Sequence, residues 1–124
     1  MSVVAWILQG LLALAFVFAG GQKLAKDRKQ LIDAGMGWAA DFSDAAVKGI
    51  GAVEVLGAVG LVLPAAIRVA PVLTPIAAVG LALVMAGAVV VHLRRGETAG
   101  AAPSLVLGLL AVVVAVLRFG PVAL

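Results

Sequence analysis

Cysteine is absent from the chain. Its absence excludes a disulfide framework, a thiolate metal site, a cysteine nucleophile and thiol redox chemistry. Charge is scarce: nine basic and six acidic residues make up 12% of 124 positions. So few charges cannot coat a soluble domain of this size, and a soluble fold of this length has little interior to hide 65% hydrophobic residues. One histidine, with no carboxylate cluster at ligand spacing, argues against a metal site. There is no Walker loop, no dinucleotide fingerprint and no Ser-His-Asp spacing. The net charge of +3 is not a nucleic-acid signature, because the basic residues sit beside hydrophobic runs. The composition that remains is that of a membrane protein.

A membrane helix needs about 20 mostly apolar residues. Four runs qualify: Val3 to Gly21, Ala46 to Leu63, Val72 to Leu93 and Pro103 to Phe119. None shows two-residue alternation, and helices satisfy their own backbone in lipid. The fold class predicted is an all-α membrane protein, a single domain over 1–124. It is an antiparallel bundle of four transmembrane helices with a short interfacial helical segment between helices 1 and 2. Pro64 and Pro71 bracket one connection, and Arg94 to Pro103 form another. Ser43 or Asp44 is placed to cap the second span. The start Met-Ser-Val-Val carries no basic residue, so the first span reads as a retained anchor rather than a signal peptide.

Lys23, Lys26, Arg28, Lys29, Lys48, Arg94 and Arg95 fall in or beside the first and third connections. Arg68 and Arg118 fall on the other side. The positive-inside rule then makes the first and third connections cytoplasmic and leaves both termini outside a cell membrane crossed several times. Residues 22–47 mix both charge signs, with Leu24, Leu31 and Ile32 at helical spacing. Gly35 and Gly37 divide this segment, and Trp38 and Phe42, four apart, share a helix face. It reads as membrane-surface helix with aromatic anchors, or as a docking surface for a partner.

Glu54 is the most informative residue. An acid at the centre of a span costs roughly 2.5 to 3.5 kcal/mol, and each Val, Leu or Ile of that span returns about 0.3 to 0.6 kcal/mol. Such a helix barely breaks even, so Glu54 must face the bundle interior. Gly51, Gly57 and Gly60 let a partner helix approach that face. Gln9 is the expected hydrogen-bond partner of Glu54. The site is then either a polar clasp between helices or a place for proton transfer or head-group binding. His92, at the end of the third span, reads as an interfacial residue, a proton acceptor or a ligand for a quinone carbonyl. Lys23, Lys48 and Arg94 are placed to share that end with His92 and attract an anion, or simply to signal topology. Arg118 reads as a surface anchor. Glycine-lined faces permit a homo-oligomer without requiring one.

Three patterns together resemble the DoxX-like family of small membrane proteins. They are Phe18-Ala19-Gly20-Gly21-Gln22-Lys23-Leu24, then Gly51-Ala52-Val53-Glu54-Val55-Leu56-Gly57-Ala58 with Gly60-Leu61-Val62-Leu63-Pro64, then Met85 to Leu93 with His92. Relatives often carry a Gly-Tyr-Pro-like turn before the second helix, where this chain has Gly35-Met36-Gly37-Trp38. The resemblance implies a four-helix protein of the bacterial plasma membrane. Some relatives are named as subunits of a membrane thiosulfate:quinone oxidoreductase, others as the membrane part of an oxidative-stress complex. It thus implies an accessory subunit of a redox complex near the quinone pool, partnered by other membrane redox proteins, rather than a self-sufficient catalyst. Glu54, Lys23 and His92 are the positions matching family motifs. A small proton-coupled transporter and a scaffold without its own chemistry are the alternatives.

Overall fold

The computed structural model describes residues 2–124. Four long helices form the bundle: α1 (Ser2–Ala25), α3 (Asp44–Ile67), α4 (Leu73–Arg94) and α5 (Thr98–Phe119). Each is long and apolar enough to cross a membrane, and no strand occurs among the described residues. Between α1 and α3 lie a short helix, α2 (Arg28–Asp33), and a 3-10 helix, Gly37–Asp41. Helix α1 packs on α3, α3 on α4 and α4 on α5, and a lighter α1–α5 contact closes the ring.

The spans are apolar all round, so burial is set by a narrow stripe on each. On α1 the stripe is Ala5, Gln9, Leu12, Phe16, Gly20 and Lys23; on α3 it is Val47, Gly51, Glu54, Ala58, Leu61 and Ala65. Steps of three and four residues are the seam of near-antiparallel helices. Leu14, Leu56 and Leu83 point outward with about 70% of their surface exposed. In water such a surface would aggregate; in acyl chains it is the expected exterior.

Two helices run past the prolines expected to end them. Helix α3 continues through Pro64 to Ile67, and α5 begins at Thr98 with Pro103 inside it. Pro64 has no N–H for the carbonyl of Gly60, one turn back. The Thr74 hydroxyl on α4 donates to that oxygen at 3.0 Å, so the neighbouring helix supplies the missing donor. The chain then reverses through Arg68 and Ala70, both at positive φ.

The first connection folds as a cap over one end of the bundle. Asp27 accepts from the Gln30 amide while the Gln30 side chain accepts from the Asp27 amide, a reciprocal pair that starts α2. Gly35, at φ +102°, ends it. Leu31, Ala39 and Val47 form a small separate core beneath. Trp38 and Phe42 meet edge-on at 5.8 Å, although Phe42 has already left the 3-10 helix for extended backbone. Ser43 caps α3 by accepting from the Ala46 amide at 3.0 Å.

Candidate functional site

The crossing of α1 on α3 is fixed by two glycines. A Cβ on Gly20 would lie 2.6 Å from the Gly51 carbonyl oxygen, and one on Gly51 would lie 2.8 Å from that of Gly20. The backbones therefore touch, and the antiparallel register follows from that point. It sets Gln9 opposite Leu61, whose carbonyl accepts from the Gln9 amide at 2.5 Å. Gln9 is thus not the partner of Glu54, as depth alone had suggested. Gly57 and Gly60 face α4 instead, against Leu81 and Ala77.

Glu54 is paired with Lys23: Nζ lies 2.7 Å from Oε1, and the two side chains are 10% and 2% exposed. Helix geometry explains the pairing. Side chains lean toward the N-terminus of their own helix. Lys23, near the end of α1, therefore leans into the bundle, while Glu54 on antiparallel α3 leans toward the cap. The ammonium reaches Oε1 off-line for a hydrogen bond, so that buried oxygen keeps an unfilled acceptor position. The ammonium also sits 5.7 Å from the centroid of the Trp38 ring.

The ion pair forms part of the wall of a cavity of about 400 Å³. All four spans and the cap contribute, and most of the lining is apolar, with Met85 from α4 and Trp38 and Phe42 from the cap. His92 lines it as well. Its Nδ1 lies 3.0 Å from Glu97 Oε1, close to Gly100, where a Cβ would sit 2.8 Å from that nitrogen. Glu97 also accepts from Arg95 Nε at 3.3 Å, and Arg95 Nη1 donates to Asp41 at 2.6 Å. This chain of contacts ties the third connection to the cap. The hydrogen bond from His92, then that from Arg95, hold the Glu97 carboxyl below its ordinary range. Asp41 and Glu97 together raise Arg95.

Of the basic residues expected to share an end with His92, Lys23 lines the same cavity, while Lys48 and Arg94 do not. Lys23 turns inward to Glu54, and Lys48 donates to the carbonyls of Leu24 and Lys26, closing the end of α1. Arg94 is exposed. Sequence reasoning missed Glu97 as the neighbour that holds His92, although five residues across a glycine turn is a recognisable spacing. It also missed Gly20 as the counterpart of Gly51, and it read Trp38 and Phe42 as anchors rather than as cavity wall. Arg118, expected at the surface, is 3% exposed.

Residues 7–114 match the family model of the DoxX-like family. The chain belongs to the DoxX-like family. Match length and apolar helices agree: this is a small integral membrane protein of several spans. No curated protein matches the chain, nor does any solved structure.

Proposed function

We propose that this DoxX-like protein is a membrane subunit that holds a lipid-soluble quinone beside the Lys23–Glu54 pair and serves a redox partner in the same membrane. The cavity carries this reading. Its volume of about 400 Å³ suits a small ring, its walls are mainly apolar, and an ion pair is buried on one side with a histidine also in the lining. The lining fits a carbonyl-bearing ring: Lys23 supplies N–H groups, and Trp38 and Phe42 supply aromatic surface. A bound quinone would supply two-electron, two-proton carbonyl chemistry. Glu97 on Nδ1 orients the His92 ring and leaves Nε2 free to take up or return a proton. Seven of nine basic residues gather at the capped end, which supports a cytoplasmic cap with both termini across a cell membrane.

The test uses Trp38 as the reporter in a Trp6→Phe background. A short-chain quinone should quench its fluorescence saturably in lipid discs. The paired variant Lys23→Met with Glu54→Gln, which leaves no lone buried charge, should weaken that binding about tenfold, the effect of losing one good polar contact. Quenching that never saturates removes the reading.

A second reading has its own observation. The ion pair lies one turn from the tightest contact of α1 with α3. It could serve as a clasp alone. In that case the paired variant loses stability and keeps its affinity for the quinone.

A further inference from the structure

The end of the bundle away from the cap holds a second buried polar centre. Arg118, in the last turn of α5, donates from Nε to Gln9 Oε1 at 2.8 Å and from Nη1 to the Val122 carbonyl at 2.9 Å. Its guanidinium carbon stands 5.3 Å from the centroid of the Trp6 ring. The third nitrogen, Nη2, is buried and has no hydrogen-bond partner among the described residues.

No Asp or Glu side chain answers this charge. Asp27, Asp33, Asp41, Asp44, Glu54 and Glu97 account for every acidic side chain, and all lie in the cap, in the third connection or on the cap-side half of α3. The other charged side chain at this end, Arg68, has the same sign. Among the described residues no acid is in ion-pair range of Arg118. A guanidinium does not escape burial by losing its proton. A buried charge of this kind is held only with a countercharge, and no Asp or Glu side chain supplies it.

Arg118 lines a cavity of about 250 Å³ together with Pro71, Val72, Pro75, Phe119, Ala123 and Leu124. These residues come from the α3–α4 turn, the start of α4, the end of α5 and the residues that follow it, so the cavity sits where the spans meet the membrane surface. Phosphate groups of lipids lie at that level. We propose that this cavity binds a phosphate oxyanion as the countercharge of Arg118.

The test starts from protein stripped of lipid in dodecyl maltoside, a detergent without phosphate. Phosphatidylglycerol, inorganic phosphate and the neutral lipid monoolein are added separately, and Tm and retained lipid by native mass spectrometry are read. Phosphatidylglycerol should raise Tm by several degrees, with one lipid retained. Monoolein should do neither. A response to phosphatidylglycerol alone assigns a lipid head group; a matching response to inorganic phosphate assigns a free oxyanion. Arg118→Gln should abolish either response. Because that variant also loses the contact to Gln9, Val72→Glu gives an independent arm: Val72 is exposed on the cavity rim, so a carboxylate there supplies the countercharge internally and should block the anion without unfolding the bundle. Equal responses to phosphatidylglycerol and monoolein, or responses that survive in both variants, overturn the proposal.

Discussion

The two ends of the bundle bury a long basic side chain by the same device and settle its charge differently. Lys23 and Arg118 each stand near the C-terminus of a span, and each leans back toward its helix N-terminus, into the protein. Each meets a polar group on a neighbouring antiparallel helix, Glu54 for Lys23 and Gln9 for Arg118. At the capped end the partner is an anion and the pair is neutral as a unit. At the far end the partner is an amide, which satisfies one N–H and cancels no charge. A basic residue at the end of a span is therefore not always a surface anchor. Its position on the buried stripe decides, and both Lys23 and Arg118 are on it.

The largest effect should come from unbalancing the balanced end. Lys23→Met alone leaves Glu54 buried and unpaired, and Glu54→Gln alone does the same to Lys23. Each should cost about 3 to 5 kcal/mol. The double substitution should recover most of that loss. Reversible unfolding in bicelles measures all three. Additive losses would mean that the pair is not the unit that burial makes it.

Next is the contact that sets the register. Gly20→Ala drives a methyl into backbone, 2.6 Å from the Gly51 oxygen, where nothing flexible can give. Overpacking of this kind costs about 1 to 3 kcal/mol. Gly57→Ala meets the Leu81 side chain at the same 2.6 Å, but Leu81 can change rotamer, so the loss should be smaller. Gly10→Ala, with nothing within 4 Å, should be silent. If Gly20→Ala is as mild as Gly10→Ala, the α1–α3 register is not held here.

The number of spans was legible because uninterrupted apolar length is a one-dimensional property. So was the interior position of Glu54, since lipid makes the alternative expensive. What could not be read was which polar group faces which. Depth read from the sequence set Gln9 near Glu54, yet the glycine–glycine contact fixes a register that sends Gln9 to Leu61, and Arg118 reaches it from α5. The cavity was equally invisible, because it is what four spans and a cap leave between them. Pro64 misled for a related reason. Its broken hydrogen bond is real, but Thr74, on another helix, repairs it.

That repair gives a sharper, smaller test. Thr74→Val should cost about 1 kcal/mol, the ordinary worth of one hydrogen bond. In a Pro64→Ala background the new amide at residue 64 reclaims the Gly60 carbonyl, and Thr74→Val should then cost little. A double-mutant cycle reads the difference. Equal losses in both backgrounds would show that Thr74 contributes through packing rather than as a substitute donor.

The smallest effect concerns the cap, where charges meet water and the pairs contribute least. Glu97 links His92 to Arg95, and Arg95 links onward to Asp41. The hydrogen bond from His92 is the main reason that the Glu97 carboxyl stays ionised below its usual value of 4.5. A folded value that is depressed adds stability above pH 4.5, and that stability is lost as pH falls through the lowered folded value. Hydrogen exchange at the amides of residues 36–42 and 95–98 should therefore accelerate, relative to the intrinsic rate, as pH falls below 4.5, while the spans remain protected. Glu97→Gln should give the faster exchange already at pH 7 and flatten the acid dependence. If protection of the cap instead follows that of the spans, the cap is held by its apolar contacts, Leu31, Ala39 and Val47, and the ion pairs only decorate its rim.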